Sequence, residues 1–121
     1  DGILIDAPCS GTGVTGRHPD IRWNRRPEDL HRYQRMQLDL LNHAAPLLGP
    51  RGVLVYATCS LEPEENMEVV TAFLQSHRDF TLSDCSDYLP DKACRFVTDK
   101  VFAPRPSDLI DGFFGTRMER L

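Results

Sequence analysis

Two short apolar runs rich in β-branched residues, Ile3-Leu4-Ile5 and Val53-Leu54-Val55-Tyr56, constrain the fold most. Runs of that length read as buried strands. Between them lie a long loop and then a segment with helical periodicity: Pro27 suits a first helical position, and Leu30, Tyr33, Met36 or Gln37, Leu40, Leu41 and Ala44 recur with a period near 3.6. Leu48-Gly49-Pro50 ends that helix. Strand, helix and strand in this order make a βαβ unit, and chemistry in such folds gathers past the carboxyl ends of the strands. Each run leads into a cysteine, Cys9 after Asp6-Ala7-Pro8 and Cys59 after Ala57-Thr58. The fold therefore predicts two thiols sharing one cleft.

Further along, Pro63 and Glu64-Glu65 suit a helix start, with Met67, Val69, Val70, Phe73 and Leu74 as its buried stripe up to about His77. Phe80-Thr81-Leu82 reads as a short strand, and Ser83 to Thr98 lacks periodicity. Asp111-Gly112 reads as a hairpin turn into a last strand carrying Phe113 and Phe114, at least one of them a core ring. The order predicts α/β architecture, mostly parallel with a C-terminal antiparallel strand pair. Few strands follow Asp1, so this expected sheet leaves an uncovered edge, and the chain reads as the second half of a larger domain.

With 121 residues, 40% apolar and 26% charged, the composition suits one soluble globular domain. No apolar run spans a bilayer and no leader precedes the first strand, so a cytoplasmic location is expected, without a membrane partner. The cysteines stand at 9, 59, 85 and 94 with no Cys-x-x-Cys, which predicts free thiols and no metal site. Cys85 and Cys94 read as small buried hydrophobes.

The net charge of −4 hides a basic stretch: from Arg17 to Arg35, six arginines face three acids. Arg17, His18, Arg22, Trp23, Arg25 and Arg26 are candidate RNA contacts, able to grip phosphates and stack on an unpaired base. A solvated loop and helix face explains the same charge equally well. Gly11-Thr12-Gly13-Val14-Thr15-Gly16 spells a dinucleotide-binding fingerprint, yet its context is poor. Four residues separate it from the strand, Arg17-His18-Pro19-Asp20 stand where a helix should run, and no second strand ends in an acid about 20 residues on.

A reactive cysteine needs something that favours its thiolate. Cys59 lies between a strand end and the next helix, whose dipole favours negative charge while Glu62, Glu64 and Glu65 oppose it. Cys9 follows Pro8, which stiffens the loop, and Asp6 stands three residues before it at the strand end. Position alone leaves a catalytic pair and two structural thiols both open.

Asp6-Ala7-Pro8-Cys9-Ser10-Gly11-Thr12-Gly13 and Ala57-Thr58-Cys59-Ser60-Leu61-Glu62-Pro63-Glu64-Glu65-Asn66 resemble the two cysteine motifs of the RNA cytosine-C5 methyltransferases of the Sun/Fmu (NOL1/NOP2/Sun) group. The stretch from Gly13-Val14 to Arg25-Arg26 is similar to the bacterial 16S ribosomal RNA members, and Asp111-Gly112-Phe113-Phe114 matches the closing motif. The resemblance implies a Rossmann-like domain, S-adenosylmethionine as cofactor and ribosomal RNA as partner. It assigns Cys59 the attack on cytosine C6, Cys9 a part in losing the C5 proton and releasing Cys59, and Asp6 a contact with cofactor or cytosine. It also implies that residues 1–121 are the C-terminal portion of a single catalytic domain, with the glycine-rich cofactor loop and the ribose-holding acid before Asp1. A segment lacking these is expected to bind cofactor weakly and to be inactive alone. DNA cytosine-C5 methyltransferases carry their nucleophile on Pro-Cys, which here is Pro8-Cys9; the extended match around Cys59 favours the RNA group. Two other readings are a dinucleotide-binding oxidoreductase segment built on Gly11 to Gly16 and a non-catalytic RNA-binding module using the basic stretch.

Overall fold

A computed structural model describes residues 1–107 and 109–121, with the backbone alone at Arg22 and Asn24. Its elements are β1 (Gly2–Asp6), α1 (Ile21–Asn24), α2 (Pro27–Ala44), β2 (Val53–Thr58), α3 (Met67–Ser76), β3 (Phe80–Ser83), α4 (Asp91–Cys94), β4 (Val97–Thr98), β5 (Val101–Phe102) and β6 (Phe114–Arg120). The sheet runs β1-β2-β6-β5-β4, with β3 also paired to β6. β1 and β2 are parallel, whereas β6 is antiparallel to β2, to β5 and to β3. Thus β1, β2, β3 and β5 share one direction, and β6 and β4 run against them. This is the expected α/β sheet with most strands in one direction, and its antiparallel pairings reach beyond the expected C-terminal pair because β6 lies between β2 on one side and β5 and β3 on the other.

Register sorts the side chains into two faces. Leu54, Tyr56 and Thr58 stand beside Met118, Thr116 and Phe114, and this face meets α2 and α3. The core joins it to Leu41, Ala44, Val69, Val70 and Phe73, all buried. On the opposite face Leu4, Val55, Ala57, Gly115 and Arg117 line a cavity of about 350 Å³ with Cys85, Tyr88 and Leu89. Leu4 remains 69% exposed there.

Pro27 opens α2 as the sequence predicts, and Asp29 Oδ2 accepts the Arg26 backbone N–H at 3.0 Å. At the ambiguous 36/37 position, Gln37 turns inward and Met36 outward. Three expectations are corrected. The segment before α2 is more than a loop, holding a 3-10 turn at Thr12–Val14 and α1. Pro63–Glu65 is a separate 3-10 turn, and α3 starts only at Met67. Asn66 causes the break: its side chain accepts from the Thr58 hydroxyl at 2.6 Å and donates to the Ser60 carbonyl at 2.8 Å, holding its backbone at φ −111, ψ −104.

The third correction moves the hairpin turn. Asp99 and Lys100, at φ 50 and 74, join β4 to β5. Positive φ at both central residues is what a tight two-residue hairpin demands, and neither residue is the glycine or asparagine that usually signals one. Gly112 instead packs against Gly13, and the last strand starts at Phe114. Phe114 is the core ring, edge-on to Tyr56 at 6.4 Å, while half-buried Phe113 faces Phe102 at 6.2 Å. Among the described residues no helix is long and apolar enough to cross a membrane.

Candidate active site

β1 and β2 are parallel neighbours, with Asp6 opposite Ala57 and the Ala7 N–H bonded to the Ala57 carbonyl at 2.9 Å. The chains leaving both strands therefore start side by side, and Cys9 and Cys59 meet with their sulfurs 3.3 Å apart. That is hydrogen-bond range for thiols. Both are half-buried and free. Burial first, then the hydrogen bond to Cys59 and its charge, push the Cys9 thiol up to about 12. At neutral pH Cys9 holds its proton.

Three loops converge on this pair. The Gly13 N–H donates to the Cys59 carbonyl at 2.8 Å, and the Gly112 N–H donates to the Gly13 carbonyl at 2.8 Å. The Leu61 N–H donates to Thr12 Oγ1 at 2.9 Å. A Cβ on Gly13 would lie 2.4 Å from the Gly112 oxygen and 2.7 Å from the Cys59 oxygen, so only glycine fits. Gly11, at φ 75, makes the preceding turn. The Gly11 to Gly16 loop thus spends the Gly13 and Val14 N–H groups on protein carbonyls and leads into a 3-10 turn. A pyrophosphate cradle needs such donors free at the start of a helix.

Beneath the thiols lies a residue that sequence reasoning misassigned. Glu65, read as a helix-start acid opposing a thiolate, is fully buried. Its Oε1 accepts from the Ser10 N–H at 2.8 Å and from Gln37 Nε2 at 3.2 Å. Its Oε2 accepts from the Ser10 hydroxyl at 2.6 Å and, closer still, from the Ser60 hydroxyl. The Tyr56 hydroxyl donates to the Glu65 backbone carbonyl at 2.5 Å. A buried carboxylate costs several kcal/mol unless donors replace water. Those donors come from α2 and both cysteine loops; the serine following each cysteine was the available signal. The helix-dipole argument for Cys59 lapses, because α3 begins beyond Asn66.

Asp6 is exposed at the carboxyl end of β1, three residues before Cys9. The basic stretch divides. Arg25 Nε donates to the Ser10 carbonyl at 2.7 Å and so braces the Cys9 loop, and Arg17 pairs with Asp111 at 2.7 Å. Arg26 and His18 are exposed, as is Trp23 at 85%. The Arg22 side chain lies outside the described residues. Cys85 is buried and Cys94 half-buried, away from the thiol pair. A cavity of about 520 Å³ opens beside the Cys59 loop, between Ser60, Leu61 and Met67 on one side and Pro104, Arg105 and Phe113 on the other.

A family model described as 16S rRNA methyltransferase RsmB/F matches residues 1–119. The ribosomal RNA small subunit methyltransferase B of Salmonella agona (strain SL483) is 52% identical over 84 residues, 69% of this chain and 20% of that protein. The probable ribosomal RNA small subunit methyltransferase B of Bacillus subtilis (strain 168) is 42% identical over 122 residues, 99% of this chain and 27% of that protein. Among solved structures, that of PH0851 superposes with a TM-score of 0.85 at 34% identity, over 99% of this chain and 26% of its own. NSun6 from Pyrococcus horikoshii with SFG superposes with a TM-score of 0.77 at 29% identity, over 98% of this chain and 29% of its own. The chain spans 20% of the Salmonella relative and 27% of the Bacillus one.

Proposed function

Because the chain belongs to the 16S rRNA methyltransferase RsmB/F family, we propose that it carries the thiol half of an S-adenosylmethionine-dependent enzyme methylating C5 of a ribosomal RNA cytosine. Cys59 is the nucleophile and Cys9 its proton partner. The approach of the two sulfurs to 3.3 Å carries this reading. We further propose that residues 1–121 are the C-terminal portion of one catalytic domain, in keeping with the share of its relatives that the chain spans.

Cytosine C5 is a poor nucleophile. Addition of the Cys59 thiolate at C6 breaks the C5–C6 double bond and leaves electron density at C5. When bound, S-adenosylmethionine supplies an electrophilic methyl group; the exposed Asp6 carboxylate at the end of β1 fits an acceptor for that cofactor's donor groups or for the cytosine's amino edge. Completion requires loss of the C5 proton and rupture of the C6–S bond, which restores the double bond and returns Cys59. Cys9 suits the proton step. Burial, and after it the hydrogen bond and charge of Cys59, oppose ionisation of Cys9; once Cys59 is bound to carbon the two Cys59 contributions go while burial remains, so a Cys9 that has given its proton to solvent is a strong base for the C5 proton. Positioned acid–base help of this kind contributes about 100- to 10,000-fold. The target base must leave its stack to reach the thiols, and exposed Trp23 with Arg26 and His18 is a surface for neighbouring nucleotides.

The dinucleotide reading loses ground because the Gly11 to Gly16 loop points its donors inward. A non-catalytic RNA-binding module would need the basic stretch but not the paired thiols. The deciding experiment uses the full-length protein with cytosine-containing 16S RNA and the methyl donor. On a denaturing gel, Cys59→Ala should form no covalent RNA adduct, whereas Cys9→Ala should accumulate one. The reverse pattern would make Pro8-Cys9 the nucleophile, and no adduct from any form would refute covalent catalysis.

A further inference from the structure

Glu65 is hydrogen-bonded to neither sulfur, yet among the described residues it is the one carboxylate bonded to the serines that follow both cysteines. We propose that Glu65 is a positioning residue: by holding Ser10 and Ser60 on one carboxylate, it sets the distance between the Cys9 and Cys59 sulfurs. The inference rests on the two-thiol reading above. Ser10 and Ser60 directly follow the two cysteines, and their hydroxyls lie 3.4 Å from each other on the same carboxylate. A shift of either loop would strip hydrogen-bond donors from a fully buried carboxyl group, which solvent does not reach to replace them, so the arrangement resists movement. Two outside anchors fix Glu65: Tyr56 from β2 holds its backbone carbonyl, and Gln37 from α2 holds Oε1 while also donating to the Pro8 carbonyl at 2.9 Å. Gln37 therefore braces the peptide just before Cys9 as well.

The test measures sulfur approach without RNA or methyl donor. Diamide converts neighbouring thiols to a disulfide, the two thiol hydrogens passing to its N=N bond. In the full-length protein Glu65→Gln should form the Cys9–Cys59 disulfide at least tenfold more slowly than wild type, while Cys94 is alkylated within twofold of the wild-type rate. The Ser10→Ala, Ser60→Ala double variant should slow crosslinking comparably, and each single variant less. A folded Glu65→Gln crosslinking at the wild-type rate overturns the proposal. If that variant does not fold, the double-serine variant decides on the same criterion. The RNA-adduct experiment judges the methyl-transfer reading separately: slowed crosslinking without any wild-type adduct supports the positioning role and overturns the catalytic one.

Discussion

Cys9 is the residue whose chemistry responds most to its surroundings. Its folded thiol is raised from its ordinary 9.0 to about 12, chiefly by burial and then by Cys59. The folded state holds this proton more tightly than the unfolded chain does. The associated stability is fully present below about pH 9 and is lost as pH climbs toward 12. Urea unfolding at about pH 8 and about pH 10.5 should show the wild type losing more stability than Cys9→Ser over that interval. Equal losses would mean that the thiol is not buried as described. The cysteines were legible because each follows a strand-like run in a recognisable motif. Glu65 was not, since a carboxylate in Pro-Glu-Glu reads locally as a solvated first turn; the donors to it come from positions 10, 37 and 60.

Helix α2 was readable because its start, stripe and stop are all local signals. The break before α3 escaped because Asn66 is drawn out of helical geometry by partners at 58 and 60, a side-chain competition no periodicity reveals. The β4–β5 turn escaped because Asp99-Lys100 carries no glycine. The seat of α3 rests on Phe73, fully buried and stacked on His77 at 4.3 Å and edge-on to Phe80 at 5.3 Å. Phe73→Ala removes both ring contacts and leaves a cavity, so calorimetry or urea unfolding should register a loss of about 3–5 kcal/mol. A loss under about 1 kcal/mol would show that α3 is held by other contacts.

At the scale of the whole molecule, the fold class was legible from the alternation of strand and helix, but strand order was not, because pairing is non-local. β6 comes last in sequence yet lies between β2 on one side and β5 and β3 on the other, pairing Glu119 with both Val53 and Thr81. During synthesis, then, β3 and β5 have no place in the sheet until residues 114–120 clear the ribosome. Cys9 and Cys59 emerge before the strand paired beside β2 exists. A stalled chain in which an unstructured linker long enough to fill the exit tunnel follows Gly112 should expose Cys85, whose thiol lies under Gly115, to rapid alkylation, and a chain carrying residues 113–120 before the same linker should protect it. Protection already present at Gly112 would mean that the sheet assembles without its central strand.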